Sequence, residues 1–125
     1  GITPLLAKML TLYDTKEELD MGIARLFYVL DWDESGYIGF TELKNGLRKL
    51  KCEPPIEISF ADFEILTRHG EFLNKKGELS LHNFRIMMSV QLKIYVQRHM
   101  TDCLSIIRMK LSREHQMMLG TIRYL

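Results

Sequence analysis

The chain has 125 residues, 46% of them hydrophobic, which is enough for one buried core and gives one globular unit with an appendage as the expectation. No stretch reaches the roughly 18 uninterrupted apolar residues of a membrane span, and the N-terminus has neither a basic flank nor a signal-like apolar run, so the segment is expected to be soluble. The net charge of +1 conceals an uneven distribution: residues 1–78 carry 10 Lys/Arg against 14 Asp/Glu, a net −4, and residues 79–125 carry 7 against 2, a net +5.

A start at Gly1 suits a cloning scar or a piece of a longer polypeptide better than a complete protein, so a fragment is expected. Two cysteines, Cys52 and Cys103, have neither metal-ligand nor redox-motif spacing, so they read as free thiols in a reducing compartment.

In chain order, residues 1–14 hold Pro4 and an apolar run from Leu5 to Leu12, a helical lead-in. Thr15 and Glu18 make a capping-box pair, and Leu19, Ile23, Leu26, Phe27 and Leu30 follow on one helical face, so a helix is expected to end at Leu30. Leu43, Leu47 and Leu50 recur at helical spacing before Pro54-Pro55, which predicts a second helix over residues 42–51. Ser59 with Asp62 starts a short third helix, carrying Phe60, Phe63 and Leu66 and stopping near Gly70. From His82 to Leu119 there is neither Pro nor Gly, and the apolar rhythm predicts one long helix or two consecutive ones, with Thr101-Asp102 as the expected bend or restart.

Between the first two helices lies Asp31-Trp32-Asp33-Glu34-Ser35-Gly36-Tyr37-Ile38-Gly39-Phe40-Thr41-Glu42. An EF-hand loop takes oxygen ligands at positions 1, 3, 5, 7, 9 and 12 and a glycine at position 6. Asp31, Asp33 and Ser35 occupy positions 1, 3 and 5, the backbone carbonyl of Tyr37 serves position 7, and Glu42 at position 12 can chelate through both oxygens. Gly36 permits the turn, and Gly39 at position 9 leaves that place to water. Oxygen-only ligands suit a hard cation, so Asp31, Asp33, Ser35, Tyr37 and Glu42 are the predicted Ca²⁺ ligands, with an affinity in the sensor range of ~10⁻⁶ to 10⁻⁴ M.

EF-hands work in pairs, and the partner is sought in residues 60–97. Aligning Gly77 with Gly36 and Leu79 with Ile38 puts Phe72, Asn74, Lys76 and Asn83 at positions 1, 3, 5 and 12. A lysine among missing carboxylates cannot hold Ca²⁺, so the second loop is expected to be structural and to pair through Glu78-Leu79-Ser80. The fold class expected is all-α: paired EF-hands over 15–99, one calcium-competent and one degenerate, preceded by the 1–14 lead-in and followed by a basic amphipathic helical extension over 100–125. Phe84, Met87 and Met88 either belong to the core or line a groove that calcium opens.

The competent first loop, Leu47-Arg48-Lys49-Leu50 running into Glu53-Pro54-Pro55-Ile56, and the degenerate Leu73-Asn74-Lys75-Lys76-Gly77-Glu78-Leu79 segment together resemble the cytosolic C-terminal EF-hand domain of voltage-gated calcium and sodium channels, over roughly residues 15–100. That family similarly has a paired-proline turn between the hands and a degenerate second loop ahead of a helix like Phe84 to Val96. The resemblance implies a cytosolic domain of a membrane channel, acting on a pore-proximal helix. The intact ligand set departs from animal channels and suits a protist or single-repeat relative. Residues 100–125 lack the Ile-Gln motif by which that family recruits calmodulin.

In the tail, Leu104, Leu111, Met118 and Leu125 recur every seven residues, with Met100 and Ile107 between them and Glu114 and Thr121 interrupting the second row. Homo-oligomerisation through this helix, calmodulin or membrane-surface contact through Arg108, Lys110, Arg113 and Arg123, and docking on its own domain all remain open. His69, His82, His99 and His115 sit in no catalytic or metal-ligand motif, and there is no phosphate loop, nucleophile elbow or aromatic-basic interleaving. Neither enzymatic activity nor nucleic-acid binding is expected. The competing readings are a free calmodulin-like sensor that binds target helices and an EF-hand module attached to a calcium-regulated enzyme.

Overall fold

The computed structural model describes the backbone of residues 1–114 and side chains through residue 102. Among the described residues there are five α-helices and one two-stranded sheet, which makes the chain all-α in class: α1 Thr3–Leu12, α2 Lys16–Leu30, β1 Tyr37–Ile38, α3 Phe40–Arg48, α4 Phe60–Leu66, β2 Leu79–Ser80 and α5 Leu81–Glu114. None of the helices is long and apolar enough to cross a membrane. The chain divides into two compact units, Gly1–Leu92 and a second beginning at Lys93. The first unit therefore takes in the lead-in helix.

In α1, Pro4 stands in the first turn, where its missing N–H has no helical partner to lose, and Leu5, Leu6 and Met9 are buried against the rest of the unit. Thr15 caps α2 by accepting the Glu18 N–H at 3.1 Å. The return half of that cap lands one residue upstream of the expected place, with Glu18 Oε2 accepting from the Asp14 N–H at 3.1 Å. Ile23, Phe27 and Leu30 line the buried face of α2.

Against the 42–51 expected, helix α3 begins at Phe40, where Glu42 in its first turn caps it through the Gly39 N–H, and it ends at Arg48 because its last turn tightens. The Lys49 and Leu50 N–H groups donate to Gly46 and Leu47, three residues back, at 3.2 Å each, and the helix is finished well before Pro54. Helix α4 likewise stops at Leu66 rather than near Gly70. There the buried Thr67 turns its hydroxyl onto the Phe63 carbonyl at 2.9 Å, and Arg68, His69 and Gly70 all adopt positive φ. At Thr101-Asp102, by contrast, α5 is unbroken: Thr101 Oγ1 donates to the Gln97 carbonyl at 2.9 Å, which satisfies the hydroxyl inside the helix and removes its need for a restart. The tail residues Cys103, Leu104, Ile107, Arg108, Lys110, Leu111, Arg113 and Glu114 lie outside the described side chains, and His115, Met118, Thr121, Arg123 and Leu125 lie outside the described residues altogether.

β1 and β2 pair antiparallel with Tyr37 opposite Ser80 and Ile38 opposite Leu79, as the loop alignment predicts. Ile38 and Leu79 are fully buried, and Phe27, Leu43, Leu47, Ile56, Phe63, Phe84, Met87 and Met88 are buried as well. The rings of Phe27 and Phe84 stand 5.6 Å apart, which joins α2 to the start of α5. Phe84, Met87 and Met88 are thus core residues in this structure. The ribbon ties the 31–42 loop to the 72–83 loop.

Candidate metal centre

The 31–42 loop is shaped by its own side chains. Asp31, 6% exposed at the C-terminal end of α2, accepts the Ser35 N–H on Oδ1 at 3.1 Å and the Gly36 N–H on Oδ2 at 2.8 Å, folding the chain back over itself. Asp33 Oδ1 accepts the same Ser35 N–H at 3.1 Å. Gly36 has φ +85, a conformation that strains any residue with a Cβ, so the glycine at position 6 is what lets the backbone reach Asp31. Ser35 Oγ lies 2.8 Å from the Tyr37 carbonyl oxygen and 3.3 Å from Asp31 Oδ1, and it accepts the Tyr37 N–H at 3.2 Å.

Glu42 arrives from the first turn of α3. Its Oε1 accepts the Gly39 N–H at 3.3 Å, which caps the helix, and its Oε2 is buried with no hydrogen-bond partner. One carboxylate oxygen of each of Asp31, Asp33 and Glu42 lies within 4.8 Å of the others. Ser35 and the Tyr37 carbonyl join the same cluster through the hydrogen bonds above. All five residues singled out from the sequence are brought together.

The electrostatics of this cluster are unfavourable as it stands. Carboxylates this close repel one another when charged, the more so where water is partly excluded, as it is around Glu42. Burial, together with the charges of Asp33 and Asp31, pushes the Glu42 carboxyl above the ordinary range against the opposing Gly39 hydrogen bond. Asp33 moves the other way, lowered first by the Ser35 hydroxyl and then by the Ser35 N–H. A buried acceptor without a donor costs on the order of 1–3 kcal/mol. A cation among these oxygens relieves both the repulsion and the orphaned Oε2. The residues therefore fit an ion, and Asp31, Asp33 and Glu42 can hold one.

In the 72–83 loop no such cluster forms. Asn74 Oδ1 accepts the N–H groups of Lys76 at 2.9 Å and Glu78 at 3.0 Å, and Asn83 Nδ2 donates to the Phe72 carbonyl at 3.0 Å. The last of these ties position 12 to position 1 by a direct hydrogen bond, so this loop is closed by the chain's own groups. Sequence reasoning passed over this role for Asn83, although an amide at position 12 opposite a carbonyl was a readable signal. No family model, curated protein or solved structure matches the chain.

Proposed function

We propose that this domain is a pair of EF-hands that binds one Ca²⁺ in the 31–42 loop through Asp31, Asp33, Ser35, the Tyr37 carbonyl and Glu42, and that it serves as the calcium-sensing regulatory domain of a voltage-gated cation channel. Two observations carry the calcium reading: one carboxylate oxygen from each of Asp31, Asp33 and Glu42 lies within 4.8 Å of the others, and Glu42 has a buried Oε2 with no hydrogen-bond partner. An all-oxygen donor set with three carboxylates, a hydroxyl and a backbone carbonyl suits a hard cation, and the length and order of the loop suit Ca²⁺. The channel reading is supported by the sequence alone, through the paired prolines Pro54-Pro55 and the degenerate loop that follows them.

When bound, the ion supplies the positive charge that these oxygens lack. The chain's own part is to present them: Asp31 and Glu42 stand at the facing ends of α2 and α3, so drawing both onto one centre changes the angle between those helices. A regulatory shift of tenfold needs about 1.4 kcal/mol of difference in ion affinity between two domain conformations, which a site in the micromolar range can supply.

Trp32, 85% exposed at position 2 of the loop, reports on the site. Its fluorescence is expected to change saturably with Ca²⁺ and to stop responding in Glu42→Gln. In patches bearing the full channel, Glu42→Gln is expected to remove calcium-dependent modulation of the current. A current whose calcium dependence survives that substitution would reject the channel reading and leave the calcium reading intact.

A further inference from the structure

The proposed ligand set leaves one side of the ion bare, because position 9 is Gly39. The observed ladder ends at Ile38 and Leu79, and one further step in the same register would set Gly39 opposite Glu78 of the second loop. Residues opposite one another in an antiparallel pair project from the same face, with Cβ atoms about 4.5–5.5 Å apart. A Cβ built on Gly39 would meet Glu78 Cγ at 3.9 Å and no other atom within 4 Å among the described residues. The space that a position 9 side chain would enter is therefore bordered by the Glu78 stem from across the ribbon, while its carboxylate stands outside the group of three oxygens within 4.8 Å of one another, from where a turn of the side chain would have to bring it in.

Glu78 is also held in place on both sides of its backbone. Its N–H donates to Asn74 Oδ1 at 3.0 Å, and its carbonyl accepts the Asn74 N–H at 2.9 Å. Asn74 in turn sits in a loop closed by the hydrogen bond from Asn83 to Phe72. The loop that lacks the acidic cluster is thus tied by its own hydrogen bonds where it faces Gly39.

We propose that Glu78 supplies from the second loop the carboxylate that Gly39 lacks, so that the site is shared between the two loops and draws on four acidic side chains instead of three. This rests on the calcium reading of the 31–42 loop. It gives the degenerate loop a binding role, since its fixed backbone delivers Glu78 to the open side of its partner's site. The rival account is a solvated Glu78 whose aliphatic stem merely covers the ribbon, adding only the diffuse attraction of any nearby negative charge.

Calorimetric Ca²⁺ titration of the full chain separates the two accounts. Glu78→Gln is expected to weaken binding roughly tenfold, since affinity follows the number of ligand charges. Glu71→Gln removes an exposed charge from the same part of the chain and is expected to weaken binding less than about twofold in 0.15 M salt. Gly39→Asp should recover most of the loss in the Glu78→Gln background and add little to the wild type. Equal effects of Glu78→Gln and Glu71→Gln, or an equal gain from Gly39→Asp with and without Glu78, would overturn the shared site. Absence of wild-type binding, or binding that persists in Glu42→Gln, would instead overturn the calcium reading and the shared site with it.

Discussion

Glu42 carries two duties on one carboxylate. Oε1 caps α3 through Gly39, while Oε2 is left buried without a donor. The gathering of Asp31, Asp33, Ser35 and Glu42 about the Gly36 turn was legible in the sequence, because each residue comes from a fixed place in one short segment. The nearness of Glu78 to Gly39 was passed over even though the expected register already set the two opposite, because a glycine at position 9 leaves that place to water. Gly46 is a second residue whose role appears only in three dimensions. A Cβ there would overlap the end of the Leu30 side chain, which is itself 1% exposed and has little room to move. Gly46→Ala gains about 1 kcal/mol of helix propensity but overpacks the α2–α3 contact at about 1–3 kcal/mol. The overpacking wins, and the variant is expected to melt a few degrees lower, as circular dichroism would record. A higher melting temperature would mean that Leu30 yields freely and that the helices are not held as closely as described.

The elements show where sequence reasoning about helix ends succeeds and where it stops. Thr15 and Ser59 cap α2 and α4 as expected, because an N-cap is made by residues three apart. Helix α2 ends at Leu30 as expected, but the C-terminal ends of α3 and α4 were misplaced because local hydrogen bonds closed them early: the i to i+3 bonds at Lys49 and Leu50, and the Thr67 hydroxyl on Phe63. Apolar spacing carries no sign of either. At the start of α4, Asp62 accepts the Ser59 N–H at 2.9 Å, and this backbone hydrogen bond is the first cause that lowers its carboxyl below the ordinary value. A carboxyl lowered on folding adds stability that is present above its unfolded value of about 3.9 and is lost as the pH falls through the lower folded value. Asp62→Asn is therefore expected to cost stability at pH 6, by less than about 1 kcal/mol given the water around the group, and to match the wild type once the pH has fallen through the lowered folded value. Chemical denaturation at the two pH values checks this, and a gap that persists in acid would point to lost shape instead of lost charge.

On the scale of the molecule, the two-residue ribbon links a loop whose oxygens fit an ion to a loop closed by Asn83 and Phe72. The all-α class, the ribbon register and the lack of an acidic cluster in the second loop were readable, because glycine and branched apolar residues mark both loops at matching places. Helix α1, by contrast, gave no sign in sequence of how fully Leu5, Leu6 and Met9 enter the core, since an apolar run does not name its partner. If the second loop acts as a fixed support, cutting its tie should be felt across the ribbon. Asn83→Ala, which leaves the Phe72 carbonyl without that donor, is expected to speed amide exchange at Leu79 and Ser80 and to weaken Ca²⁺ binding about twofold to tenfold. Unchanged affinity alongside faster exchange would show that the first loop holds its shape alone.

The central claim is that one Ca²⁺ binds among Asp31, Asp33, Ser35, Tyr37 and Glu42, and calorimetric titration of the whole chain addresses it directly. The account predicts a single site of ~10⁻⁶ to 10⁻⁴ M that disappears in Glu42→Gln. Binding at a second site, binding indifferent to Glu42→Gln, or no binding up to millimolar Ca²⁺ would contradict it.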